Sequence, residues 1–103
     1  MKIIKILSKK IEEEICDARD YAKMAVKYKE EHPDLSRTLY NISLQEMEHM
    51  NLLHKEVAEL IRKYRETNGE PPTEMLAVYN YLHEEQIEKA AEVKSLQSMY
   101  SGS

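Results

Sequence analysis

Residues 35–60 read LSRTLYNISLQEMEHMNLLHKEVAEL. Within them Leu35, Leu39, Ile42, Glu46, His49, Leu53, Val57 and Leu60 recur at steps of four and three. Side chains so spaced share one face of an α-helix. The stretch predicts a long amphipathic helix, and the flanking segments carry the same period. Two ionisable groups, Glu46 and His49, stand where that face calls for Leu or Ile. Burying a carboxylate costs on the order of several kcal/mol unless something compensates it. A metal ion is one compensator, and a hydrogen-bonded ion pair is the other.

Working outward, His32-Pro33 closes the segment before this helix, because a residue preceding proline is pushed out of the helical region. Asp34 offers an N-cap, and Asn68-Gly69 a stop. Helices are expected over 2–31, 34–66 and 73–100, with 101–103 as a frayed tail to one domain. The first carries the line Ile4, Leu7, Ile11, Glu14, Ala18, Tyr21, Ala25, Tyr28, and the third Met75, Tyr79, Leu82, Gln86, Lys89, Val93, Leu96, Tyr100. Short connections make neighbours antiparallel, giving an all-α, up-down-up three-helix chain.

Composition agrees. The 103 residues include two Gly and three Pro but no Trp or Phe, and 33% are charged, a balance that favours helices. A formal charge of −4 with scattered basic residues argues against nucleic acid. No apolar run approaches a membrane span. Lys2-Ile3-Ile4-Lys5-Ile6-Leu7 is too short and interrupted for a signal-peptide core, and the single cysteine, Cys16, fits a reducing compartment. A cytoplasmic location is expected.

At about 1.5 Å per residue, Glu14, Glu46 and His49 lie roughly 20–27 Å from the first turn, and Gln86 and Lys89 fall in the same slab. Glu and His three apart on a helix reach one ion together. Two carboxylates and an imidazole suit iron, manganese or zinc better than calcium or magnesium.

Glu14-x3-Ala18-x2-Tyr21 on one helix, followed by Glu46-x-x-His49 on the next, resembles the first half of a ferritin-like di-iron carboxylate bundle, nearest the rubrerythrin branch. The resemblance covers about residues 10–60. It implies that Glu14, Glu46 and His49 are ligands, that Tyr21 supports them as a hydrogen-bond donor, and that the metal is iron, with Mn2+ or Zn2+ as substitutes. The implied chemistry is oxidation of Fe(II) by oxygen or peroxide, as in a ferroxidase or a peroxide-scavenging oxidoreductase.

The third helix departs from the family by offering Gln86-x-x-Lys89 instead of a second Glu-x-x-His. Two arrangements follow. A homodimer or higher homo-oligomer assembles the site from two copies of Glu14, Glu46 and His49, as in short ferritin-like proteins of encapsulating shells. Alternatively the site is degenerate, Lys89 neutralises Glu14 and Glu46, and the chain is a non-enzymatic interaction module. The tyrosines and methionines read as packing residues. His54 reads as rotated off the buried line, toward solvent or an oligomer contact, and Asp17 as a weak attractor of cations at its edge.

Overall fold

The structure, a computed structural model, describes residues 2–102. Its three helices are α1 (Lys2–Lys27), α2 (Pro33–Asn68) and α3 (Thr73–Ser101), with no strand among the described residues. They form a rod of 55 × 19 × 18 Å. No helix is long and apolar enough to cross a membrane.

The helix ends follow local chemistry. α1 stops at Lys27, short of the expected residue 31, and residues 28–31 become the turn that reverses the chain. His32 lies at φ −136° and ψ 68°, outside the helical region, as its place before proline requires. Pro33 then opens α2, where its fixed φ is already helical and its missing N–H costs nothing. Asp34 therefore sits inside the first turn, facing the helix dipole, and does not cap it. Gly69 ends α2 with φ 76°, a left-handed conformation that a Cβ would strain, and its N–H donates to the Arg65 carbonyl at 3.1 Å.

Two buried serines set the α1–α2 register. Ser43 Oγ donates to the Ala18 carbonyl at 2.7 Å, and Ser36 Oγ donates to the Ala25 carbonyl. Ala18 and Ala25 are one heptad apart, as are Ser36 and Ser43, so the helices run antiparallel with matched periods. Another two heptads along, the same register sets Ile11 against Met50 and Ile4 against Val57, all four buried. α3 runs parallel to α1. Gln86 Nε2 donates to the Ser8 carbonyl at 3.2 Å, and Gln97 Nε2 donates to Ser43 Oγ at 2.9 Å. Near the chain reversal, Tyr100 stacks on Tyr40 with ring centroids 4.4 Å apart, and Lys29 Nζ donates to the Tyr100 carbonyl at 2.5 Å.

The core lines differ from the expected ones by a small rotation. On α1, Ile4, Ile11, Ala18 and Ala25 are buried as anticipated, but Ser8, Ile15 and Ala22 accompany them in place of Leu7, Glu14 and Tyr21. On α2 the buried line is Ser36, Leu39, Ser43, Met47, Met50, Val57 and Ile61. Leu35 is exposed, and Ile42, Glu46, Leu53 and Leu60 are only half-buried. The cause is α3. It packs on one side of the α1–α2 pair and draws the centre of burial toward itself. The rest of the expected line of α2, Leu35, Ile42, Glu46, Leu53 and Leu60, becomes a partly open edge of the core, with Leu53 and Leu60 still packed against it.

Candidate metal centre

The Ala18–Ser43 contact fixes where the polar residues meet. One turn before Ala18 on α1 is Glu14. One turn after Ser43 on α2 are Glu46 and Met47, and His49 follows Glu46 by three residues. Glu14, Glu46 and His49 converge so that one ligand atom from each lies within 4.8 Å of the others. His49 Nδ1 stands 3.4 Å from Glu14 Oε2 and 4.0 Å from Glu46 Oε2. Donors bound about 2.0–2.2 Å from one ion lie roughly 3–3.5 Å apart. The first pair is already at that spacing, and the second needs only a small side-chain rotation.

The carboxyl side chains are 26% and 20% exposed, whereas the imidazole is 55% exposed. The site is a notch with carboxylates at its floor and a histidine at its rim. Glu46 is pushed up to about 7 from an ordinary 4.5, first by its hydrogen bond with Glu14, then by burial and the Glu14 charge. Asp17 adds to the effect, and His49 opposes it. Two ionised carboxylates would leave the enclosed Glu14 Oε2 with only the His49 imidazole, 3.4 Å away, beside it. A proton held between the two carboxyl groups supplies a donor, and a cation would supply the same compensation. The donor set of two oxygens and one nitrogen fits a borderline divalent ion.

The other predicted residues lie elsewhere. Lys89 Nζ pairs with Glu12 Oε1 at 2.6 Å, not with Glu14 or Glu46. This corrects the expected counter-charge. Glu12 is two residues from Glu14, hence on a different side of α1, the side that α3 covers. Gln86 is buried but spends its amide on the Ser8 carbonyl. Tyr21 is half-buried, and among the described residues it donates no hydrogen bond to either carboxylate, so the supporting role expected for it is not built. His54, expected to point off the buried line, falls on that line between Met50 and Val57 and is half-buried against His83 of α3. The 4-3 spacing Ser43, Met47, Met50, His54, Val57, Ile61 carried that signal. It lay one residue out of step with the more apolar line. Neither a family model, nor a curated protein, nor a solved structure matches this chain.

Proposed function

We propose that the protein binds a redox-active divalent metal, iron foremost, at Glu14, Glu46 and His49, and oxidises Fe(II) with oxygen or peroxide. The observation that carries this reading is the convergence of the three donors around an enclosed carboxylate oxygen whose ion-pair neighbour, among the described residues, is the half-exposed His49 imidazole and no Lys or Arg. With Lys89 held by Glu12, the ion-pair alternative loses its counter-charge. Glu14 and Glu46 would take the floor of the site and His49 its open side. Glu46 would give up its proton as the ion enters. Bound iron would supply the electrons that reduce the oxidant.

Three ligands would leave positions open on the ion, and the partly open edge of α2 suggests what would fill them. Exposed Leu35 and half-buried Ile42, Leu53 and Leu60 lie in line with Glu46 and His49. A second copy packed on that edge would bury the line and bring its own three ligands to the same place, giving a homodimeric site of ferritin-like type. The test is elemental analysis with solution mass, followed by anaerobic loading with Fe(II) and admission of air. Iron uptake with oxygen consumption, both lost in His49→Ala, is the expected result. Absence of uptake refutes the reading. Bound metal without oxygen consumption reduces it to a structural site.

A further inference from the structure

α1 and α3 run side by side but leave a groove between them toward Pro72. Its deeper part is a cavity of about 410 Å3, within the range of small-molecule sites. Ile4, Pro72, Met75, Val78, Tyr79 and Leu82 form its apolar lining, with Lys5 and Ser8 on the α1 side. A shallower depression continues it along α1, where Lys5, Ser8, Lys9 and Glu12 face Val78 and Leu82. Polar groups in this groove are unspent. Ser8 is only 6% exposed, yet its hydroxyl makes no hydrogen bond among the described residues, and it lines both parts of the groove. A buried hydroxyl normally has a partner. Lys5 and Lys9, one turn apart, have no acidic partner among the described residues, whereas Lys10 pairs with Glu13 and Lys89 with Glu12.

We propose that this groove binds a fatty carboxylate, a single unbranched alkyl chain ending in one anionic group. The apolar walls take the chain, and each methylene they cover adds to affinity. Lys5, Lys9 and the Ser8 hydroxyl take the carboxylate through charge-assisted hydrogen bonds. The lysine stems close over the edge of the chain while their ammonium groups stay at the mouth. Charge sets the direction of binding. Glu74 stands at the Pro72 end and repels an anion there. At the other end the one carboxylate, Glu12, is already neutralised by Lys89 at 2.6 Å. The head therefore lies by Ser8 and Lys9, and the chain points toward Pro72. From Thr73 to Gln86, whose amide meets the Ser8 carbonyl, α3 rises about 20 Å. A slot between two parallel helices, long for its volume, suits an unbranched chain better than a ring system.

The groove shares no residue with the carboxylate centre, so full-length protein stripped of metal serves for the test. Dodecanoate, below its micelle concentration and at low salt, is titrated by calorimetry. One molecule per chain is expected. Affinity should fall at least ~10-fold in the double variant Lys5→Gln, Lys9→Gln. It should fall as much in Val78→Asp, a half-exposed position where a polar side chain leaves the fold intact. Dodecyltrimethylammonium, equal in chain and opposite in charge, should bind at least ~10-fold more weakly than dodecanoate. Absence of dodecanoate binding, equal binding of the two amphiphiles, or undiminished binding by the lysine variant overturns the proposal. A second measurement needs no substitution. The backbone amide resonances of Ser8, Val78 and Leu82 should move on adding dodecanoate while those of Ser95 and Ser98 stay fixed. Shifts spread evenly over the chain, or confined to the open edge of α2, place the ligand elsewhere and overturn the proposal.

Discussion

Replacing Glu46 with Gln should make the metal-free protein more stable while removing metal binding. Glu46 holds its proton up to about pH 7 because Glu14 lies beside it, while the unfolded chain releases that proton near 4.5. The native state therefore gains from this proton fully below about pH 4.5, and the gain disappears as pH rises through about 7. The interval between those values corresponds to about 3 kcal/mol. His49 opposes the repulsion, and solvent at the notch screens it, so about 1–2 kcal/mol is expected. Gln preserves the shape and a hydrogen-bond donor to Glu14 without the charge. Thermal melts followed by far-UV circular dichroism, on protein stripped of metal, should show wild type and variant melting together near pH 4.5. Near pH 8 the variant should melt about 4–15 °C higher. A gap of the same size at both pH values, or none at either, would refute the argument that two carboxyl groups share a proton here. Added Fe(II) or Zn2+ should reverse the order, because only wild type retains both carboxylates.

His49→Ala should leave the metal-free melt nearly unchanged, since the ring is mostly in solvent, yet abolish the shift produced by metal at the carboxylate site. That shift is about 2.7 kcal/mol when the ion is at 100 times its Kd, and retention of the full shift would exclude His49 as a ligand. Lys89→Ala should cost at most ~1 kcal/mol, the range for a partly exposed ion pair, and leave metal affinity unchanged. A Lys89→Ala protein with altered affinity would return Lys89 to the site. Ser43→Ala removes the donor to Ala18 and the acceptor for Gln97 in one step. A loss of about 1–3 kcal/mol in denaturant unfolding is expected, and a neutral result would show that the register does not rest on this side chain.

Helix number and direction were legible in the sequence because apolar period, prolines and Gly69 all agreed. The meeting of Glu14 with Glu46 and His49 was legible from heights alone, since antiparallel helices with short turns leave little freedom along the axis. Rotation about the axis was not. Leu35-Leu39-Ile42 and Ser36-Leu39-Ser43 are both regular lines on α2, and hydropathy favours the first. The structure buries the second because serine hydroxyls can return their hydrogen bonds to the α1 backbone, a pairing that no count of apolar residues reveals. The same ambiguity hid His54, and it placed Lys89 beside the wrong glutamate. Lys89 lies on the side of α3 that meets Glu12.

The α1–α2 seam is uneven along its length. Toward the chain reversal it holds Ala18, Ala22, Ala25, Ser36 and Ser43, and toward the other end Ile4, Ile11, Ile15, Met47, Met50, Val57 and Ile61. Small side chains let the helix axes approach, and large ones hold them apart. Glu14 and Glu46 sit where the first regime gives way to the second. The Ala18–Ser43 layer then works as the pivot of a pair of tongs, with the carboxylates a single turn along its arms. The gap between those arms, and with it the radius of any ion they could grip, would be set by the bulk of a few uncharged side chains that need never touch it.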